Sequence, residues 1–329
     1  MSEVVFRLSL SIELGSSGHP PRCNNRTVKH LVIHPVVADA LADGRAVVAL
    51  ESTVISHGLP HPHNLEVAAA MERAVREAGA VPATIGLIDG QIIAGLNATE
   101  VERLAMASRV TKVSRRDFGP VIASKGLGAT TVAATMMAAS ACGIRFFATG
   151  GIGGVHRGAQ SSFDISADLV EFSLSPVAVV CAGPKAVLDI GLTLEVLETA
   201  GVPVLGYGSA QLPAFYSTVS GFELEHWAKD AGQLADILRA HWDVCPHGGI
   251  LVTNPPPAGV SLPKEEVERL IDEALAAAGR AQVRGKAVTP FLLSHLATAS
   301  GGRTLKVNKA LLVNNARVAA EVAVAYGAV

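Results

Sequence analysis

The sequence predicts a single-domain α/β protein of three layers, with a largely parallel central sheet between helices. Three observations lead to this prediction. Short apolar runs typical of buried strands alternate with segments of helical periodicity along most of the chain. Hydrophobic residues make up 49% of the 329 residues and charged residues only 17%, as expected of a protein with a large core. No internal repeat or linker divides the sequence.

Each element is predicted from its local pattern. Strands are expected where short apolar runs end in glycine or polar residues, at 46–50, 83–88, 145–149, 177–182, 202–207 and 249–253. Helices are expected where apolar positions recur at helical spacing, in several cases behind an Asn, Thr or Pro start signal. These helices are predicted at 64–78, 100–108, 129–142, 184–199, 264–278, 289–300 and 310–325.

The beginning of the sequence differs from the rest. It mixes Gly, Ser, Pro, Asn and Arg without periodicity, and it fits neither a signal peptide nor a transit peptide well. We therefore expect residues 1–33 to form a flexible N-terminal extension and residues 34–329 to form one folded domain.

Charge, hydropathy and cysteine usage exclude several classes of function. The formal net charge of −2 gives no electrostatic basis for nucleic-acid binding. No apolar run is long enough for a transmembrane helix, so no membrane partner is expected. The four cysteines show no CxxC spacing and no clustering with histidine, which favours reduced thiols in a cytoplasmic protein.

The segment 148–168, ATGGIGGVHRGAQSSFDISAD, is the strongest indication of a functional site. Glycine this dense is typical of a loop that approaches a ligand closely. The segment follows a predicted strand, and open α/β sheets bind ligands at the carboxyl ends of their strands. It is not a dinucleotide fingerprint, because His156 stands where the template needs glycine. The histidine-rich loop at 57–64 likewise lacks the spacing of zinc enzymes.

Glu51 and Lys112 are candidates for proton transfer and anion binding. Glu51 ends the apolar run VVALEST, and a carboxylate in a partly desolvated cleft suits a general acid or base. A solvated strand-end glutamate would give the same pattern. Lys112 stands beside Arg115 and Arg116 in VTKVSRRD, a cluster that can bind a phosphate or sugar hydroxyls. A solvated basic face is the alternative.

Lys185 is a candidate nucleophile. It follows Pro184, which is predicted to occupy the first position of a helix. The helix dipole and burial would both disfavour a positive charge there. Neutral lysines attack carbonyl carbons to form imines. The alternative is a lysine that extends into solvent.

Asp164 and Asp168 are candidate metal ligands. If their segment is helical, the two carboxylates share one face, because residues four apart are neighbours. With the nearby hydroxyls they would form an oxygen site suited to Mg²⁺ or Mn²⁺. The alternative is that Asp164 caps a helix.

Taken together, these segments resemble the pseudouridine-5′-phosphate glycosidase family. The resemblance extends in order from about His34 to the C-terminus. It is carried by VALESTVISHGLPHP, VPATIGLIDG, VTKVSRRD, GATTVAATM, FATGGIGGVHRGA, FDISADL, VVCAGPKAVLDIGLTLEVLET, GVPVLGY, LPAFY, TPFLL and a closing LKVN–NNA pattern. It implies a homotrimer of α/β/α domains.

The resemblance also implies roles for individual residues. Glu51 corresponds to the proton donor of the family, Lys185 to the nucleophile that bonds to the ribose, and Asp164 to the ligand of a divalent metal, usually Mn²⁺. Further positions that face the substrate are implied at Lys112, Val132, Ser166, Ala167, Asp168, His156 and Asn308.

The chemistry of a carbon–carbon glycosidic bond explains why such residues are needed. Ordinary glycosidases use two carboxylates and a heteroatom leaving group. Here Glu51 would protonate the ring oxygen, and Lys185 would bond to C1′ of the opened sugar. Uracil would then leave behind an imine of ribose 5-phosphate. Two alternatives stay open: another imine-forming sugar-phosphate lyase or aldolase, and a non-catalytic nucleotide-binding protein.

Overall fold

The computed structural model describes residues 29–283 and 288–328, which form one α/β domain. A largely parallel sheet carries helices on both sides, so the predicted fold class is confirmed. Most of the predicted extension, residues 1–28, lies outside the described residues. Leu31–Ile33 form a strand, however, so the folded region begins before His34. Within the described part of the chain, no helix has the length and apolar character needed to cross a membrane.

The central strands of the sheet are parallel. In chain order the strands are β1 (Leu31–Ile33), β2 (Val47–Glu51), β3 (Val81–Ile88), β4 (Gln91–Ala94), β5 (Thr111–Val113), β6 (Gly128–Thr130), β7 (Phe146–Ala148), β8 (Val155–His156), β9 (Ala178–Cys181), β10 (Leu188–Asp189), β11 (Val204–Tyr207), β12 (Trp227–Ala228) and β13 (Ile250–Thr253). Their order across the sheet is β1-β4-β3-β2-β7-β9-β13-β11-β12, with β6 beside β3 and β5 beside β6. Only β3–β4 and β3–β6 are antiparallel among its described pairs, and β8 and β10 form a separate antiparallel pair.

Helices cover both faces of the sheet. They are α1 (Pro35–Ala42), α2 (His63–Glu77), α3 (Ala98–Met106), α4 (Phe118–Ala123), α5 (Val132–Cys142), α6 (Ala159–Ser162), α7 (Ala167–Phe172), α8 (Ile190–Thr199), α9 (Ala231–Val244), α10 (Lys264–Arg280), α11 (Val288–Ala299) and α12 (Arg303–Gly327). The start signals read from the sequence explain two of them. Asn97 and Glu100 form a capping box at α3, and the Thr131 hydroxyl caps α5.

Strand β2 shows how the sheet separates two cores. Val48 and Leu50 belong to the core built with α2, α9, α10, α11 and α12. Val47 and Ala49 belong to the core built with α1, α4, α5, α7 and α8. Successive side chains of a strand point to opposite faces, and both faces are covered here. The strand therefore appears in the sequence as a continuous apolar run.

The helix predicted at 184–199 is shorter than expected. It begins at Ile190, and its N-terminal cap is Asp189 rather than the glycine before the proline. The preceding residues form a loop, in which Gly183 has a φ of +84°. Pro184 forms an isolated β-bridge with Ile152 and precedes the helix by several residues, so the prediction that Lys185 occupies the first turn of a helix is wrong.

Several elements were not predicted, namely the strands β1, β4, β5, β6, β8, β10 and β12 and the helices α1, α4, α6, α7 and α9. The strands among them have two to four residues each, too few for a periodic pattern to emerge. Of these elements, β5 matters for the site because it carries Lys112. The sequence analysis had assigned Lys112 to a basic cluster but to no strand.

The order of the strands brings the candidate residues together. β2, β7 and β9 are parallel neighbours in the middle of the sheet, so their carboxyl ends lie at the same edge. β2 ends at Glu51, β7 leads into the glycine-rich segment, and β9 leads into the loop that carries Lys185. This is the edge at which open α/β sheets bind ligands.

Phe147→Ala tests the packing of this central region. The Phe147 side chain is fully buried in β7, and we expect its removal to lower the free energy of unfolding by about 3–5 kcal/mol. Urea unfolding at equilibrium measures the change. Phe163→Ala is the control, because Phe163 is 83% exposed, and we expect an effect within about 0.5 kcal/mol. Equal losses in the two variants would contradict the close packing of β7.

Candidate active site

A cleft of about 710 Å³ opens where β2, β7 and β9 end, a volume typical of small-molecule sites. All the site residues expected from the sequence line it. They are Glu51, Lys112, Val132, His156, Asp164, Ser166, Ala167, Asp168, Lys185 and Asn308. A larger groove of about 860 Å³ between α2 and α12 contains none of them. We place the functional site in the smaller cleft, because the groups able to do chemistry converge there.

Glu51 is a buried acid held by hydroxyl groups. Its side chain is 6% exposed. Thr53 Oγ1 donates a hydrogen bond to Oε2, and Thr149 Oγ1 donates one to Oε1. The alternative of a solvated strand-end glutamate is therefore excluded, and the carboxyl group has a defined orientation in the cleft.

Lys185 lies in the loop between β9 and β10. Its Nζ donates a hydrogen bond to the carbonyl of Gly151 at 2.7 Å, and its backbone N–H donates to the carbonyl of Ile152 at 3.0 Å. The lysine is half-buried and faces the cleft rather than extending into solvent. The glycine-rich segment, not a helix dipole, therefore fixes its position.

The absence of side chains at two glycines permits this close packing. A Cβ on Gly151 would lie 2.6 Å from the ring of Phe215 and 2.8 Å from the carbonyl oxygen of Gly183. A Cβ on Gly153 would overlap Ser166 and lie 2.7 Å from a carboxylate oxygen of Asp168. Both contacts are closer than real Cβ atoms tolerate, so glycine is required where the segment passes these loops.

Asp164 and Asp168 do not share a helix face, and this prediction from the sequence is wrong. Asp164 precedes α7, and the cap of α7 is Ser166, whose hydroxyl accepts a hydrogen bond from the N–H of Asp168. The carboxylate of Asp168 is 6% exposed and accepts the N–H of Gly153 at 2.8 Å and that of Ala133 at 2.9 Å. Asp168 thus joins the glycine-rich segment to the start of α5.

The donor set at Asp164 suits a hydrated ion. Asp164 and the imidazole of His156 both line the cleft and interact electrostatically. Between residues 29 and 283 and between 288 and 328, no group of three or more His, Cys, Asp or Glu residues could hold a metal ion. A divalent ion would thus have one or two of these side chains as ligands and keep several waters, as Mg²⁺ commonly does. The residues fit Mg²⁺ or Mn²⁺ in this way and do not fit a closed zinc site.

The basic cluster divides into two parts. Lys112 on β5 is half-buried and lines the cleft, so it does not belong to a solvated basic face. Arg115 forms two hydrogen bonds of 2.6 Å with the buried carboxylate of Glu171. This bidentate pair fixes Arg115 structurally, while Arg116 is exposed at the edge of the cleft. Lys112 and Arg116 are therefore the cations best placed for an anionic substrate.

Two histidines on the cleft wall have lowered pKa values. Burial is the main cause for both, and the positive charge of Lys112 lowers the pKa of each further. The charge of Asp164 opposes the shift at His156, and Lys185 adds to it. Both imidazoles are therefore neutral at pH 7, the form that accepts hydrogen bonds or binds metals.

Sequence reasoning missed four residues of this site. His57 was placed only in a loop near the site, and its buried Nε2 has no hydrogen-bond partner among the described residues. Thr149, Glu171 and Phe215 received no role. A signal existed only for Thr149, which directly precedes the glycines. The contacts of Glu171 and Phe215 join segments far apart in the sequence, so no local pattern marks them.

His57→Gln tests the pH dependence that follows from the lowered pKa. The unfolded chain, where histidine has its ordinary value of 6.5, binds a proton more readily than the folded protein. The stability that the neutral His57 contributes to the folded protein is complete above pH 6.5 and is lost as the pH falls below that value. We expect His57→Gln to lose less stability than the wild type between about pH 7 and pH 5 in urea unfolding. His226 is exposed, so His226→Gln should show the same change of unfolding free energy with pH as the wild type. The same change in His57→Gln would contradict a lowered pKa of His57.

Comparison with known proteins places the chain in a family. The model of the family described as indigoidine synthase A like protein matches residues 36–325. A pseudouridine-5′-phosphate glycosidase of Myxococcus xanthus is 55% identical over 291 residues, which cover 88% of this chain and 96% of the relative. The protein of the same name from Chloroflexus aurantiacus is 56% identical over 292 residues, with the same coverage of both chains.

Solved structures agree with these relatives. The prealnumycin C-glycosynthase AlnA in complex with ribulose 5-phosphate has a TM-score of 0.84 and 43% identity, over 91% of this chain and 97% of its own. An indigoidine synthase A-like protein from Thermotoga maritima has a TM-score of 0.81 and 35% identity, over 90% and 96%. The relatives from Myxococcus xanthus and Chloroflexus aurantiacus are both named as enzymes, pseudouridine-5′-phosphate glycosidases. The chain therefore belongs to the indigoidine synthase A-like family of enzymes.

Proposed function

We propose that this enzyme reversibly cleaves pseudouridine 5′-phosphate into uracil and D-ribose 5-phosphate, a step of pseudouridine catabolism. One observation carries the proposal. A buried carboxyl group, Glu51, and a lysine amine, Lys185, line one cleft in a chain more than half identical to enzymes named for this substrate. A glycosidase for ordinary substrates would need a second carboxylate beside the sugar. The other buried carboxylates here, Asp168 and Glu171, are occupied by backbone N–H groups and by Arg115.

The proposed reaction begins with opening of the sugar. Glu51 donates a proton to the ring oxygen as its bond to C1′ breaks, and the unprotonated amine of Lys185 forms a bond to C1′. The nitrogen of this adduct loses a proton, and its lone pair then forms a C=N bond while the bond from C1′ to C5 of uracil breaks. C5 keeps the electron pair of the broken bond and takes up the proton that the nitrogen has lost. Water adds to the imine, which releases the aldehyde of ribose 5-phosphate and restores the amine. The reverse sequence joins the two products.

The remaining residues of the cleft bind the substrate in this proposal. Lys112 pairs with the phosphate or the sugar, and Arg116, exposed at the edge of the same cleft, adds positive charge for a phosphate. His156 is neutral and donates or accepts a hydrogen bond at the same end. Further contacts are proposed for Val132, Ser166, Ala167, Asp168 and Asn308.

We also propose Mn²⁺ as a cofactor, with Mg²⁺ as another suitable ion. Asp164 would hold it, with water in the other positions. A bound divalent ion would supply positive charge and ordered water near the substrate. The proposal extends to a homotrimeric, cytoplasmic enzyme, as the family resemblance implies.

A second candidate function is the synthesis of other C-glycosides. The observation that favours it is the similarity to AlnA, a C-glycosynthase bound to ribulose 5-phosphate, at 43% identity over 91% of this chain. Under this proposal the same lysine adduct would couple to another carbon nucleophile in place of uracil. Incubation with ribose 5-phosphate and either uracil or a larger aromatic acceptor separates the two candidates.

Lys185→Ala and Glu51→Gln test the proposed reaction. We expect each to reduce kcat for uracil release from pseudouridine 5′-phosphate by at least about 1,000-fold, because each removes a group that reacts with the substrate. Uracil is measured by chromatography. Lys229→Ala is the control, since that side chain is 71% exposed, and it should keep wild-type activity. Release of uracil by Lys185→Ala at the wild-type rate would refute the proposal.

Chelation tests the metal proposal. We expect EDTA to abolish uracil release and added Mn²⁺ to restore it. Asp164→Asn should require a higher Mn²⁺ concentration for half-maximal activity, because it removes the charged ligand. Titration of activity against free Mn²⁺ measures this. Full activity in the presence of the chelator would exclude a metal requirement.

A further inference from the structure

Both oxygens of the Glu51 carboxyl group have threonine partners from different parts of the fold. Thr53 follows the end of β2 and donates to Oε2. Thr149 follows the end of β7, is fully buried, and donates to Oε1. We infer that Thr53 and Thr149 are positioning residues that hold the Glu51 carboxyl group in its proton-donating orientation. This inference rests on the proposed function.

Two buried asparagines fix the backbone of Thr149 through consecutive hydrogen bonds. Asn315 on α12 donates from Nδ2 to the backbone carbonyl of Thr149 at 2.8 Å. Asn254, after the end of β13, donates from Nδ2 to Oδ1 of Asn315 at 2.9 Å. Asn315 is fully buried and Asn254 is 5% exposed. The chain of hydrogen bonds therefore connects the Glu51 carboxyl group to the rigid core, and networks of this kind fix one arrangement of their members.

A hydroxyl group is chemically suited to this position. The last torsion of a glutamate is broad, so a carboxyl group without partners samples many orientations. A threonine hydroxyl donates to the carboxylate, and it can rotate to accept from the carboxylic acid. It therefore remains a partner both before and after Glu51 transfers its proton. Neither a lysine nor a backbone N–H could do this, because each is only a donor.

Replacement of each threonine by valine tests the inference. Valine keeps the shape and removes the hydroxyl. We expect Thr149→Val and Thr53→Val each to lower kcat for uracil release by about 10- to 100-fold. KM should stay within about twofold, because both hydroxyls donate to Glu51 and are proposed to act through it. Thr149→Ser and Thr53→Ser restore the hydroxyl and should recover most of kcat.

Thr84→Val is the matched control. Thr84 is also a buried threonine that donates to a glutamate, at 2.7 Å to Glu72 Oε1, but it does not line the cleft. It should keep the wild-type kcat. A melting curve of each variant shows whether it is folded. If Thr149→Val does not fold, the half-buried Thr53→Val and the two serine variants carry the test.

A double-mutant cycle with Glu51→Gln shows whether the threonines act through Glu51. In the Glu51→Gln protein, Thr149→Val should cause no further loss, because there is no proton-donating carboxyl group left to position. Three results would overturn the inference. The first is an unchanged kcat in both valine variants, and the second is a change in KM without a change in kcat. The third is a double mutant in which Thr149→Val lowers kcat of the Glu51→Gln protein by the same factor as it lowers kcat of the wild type. Failure of the wild type itself to release uracil would instead refute the proposed function.

Discussion

The geometry of the site depends on one close approach, between Nζ of Lys185 and the carbonyl oxygen of Gly151. The 2.7 Å hydrogen bond holds the amine at the wall of the cleft. It forms because the backbone around Gly151 passes within van der Waals distance of Phe215 and Gly183, and any side chain at that position would separate the loops. The glycine-rich segment therefore fixes the position of the Lys185 side chain.

The same segment also reaches the acid. Thr149, the residue before the glycines, donates to Glu51, so the segment after β7 contacts both Glu51 and Lys185. This follows from the order of the sheet, in which β7 lies between β2 and β9. Asp168 completes the arrangement, because its carboxylate accepts N–H groups from the glycine-rich segment and from the start of α5. One aspartate thus fixes the two backbone segments that border the cleft.

Much of this organisation could be predicted from the sequence. Strands buried on both faces appear as apolar runs, and helices with one buried face have a clear period, so the α/β class follows. Glu51 and Lys185 stood out because they follow predicted strands. The helix position predicted for Lys185 was wrong. Gly183 has a left-handed backbone conformation, and the helix begins only at Ile190. A proline in front of a helical pattern does not reveal such a conformation in the sequence. The role of Asp168 was also hidden, since both of its partners come from other segments.

The most direct test of the account is to locate the covalent adduct. The enzyme is incubated with pseudouridine 5′-phosphate, quenched during turnover and reduced with borohydride, and its peptides are analysed by mass spectrometry. We expect a reduced ribose 5-phosphate on the peptide that contains Lys185 and none on Lys112, the other lysine that lines the cleft. An adduct on Lys112, or uracil release without any adduct, would contradict it.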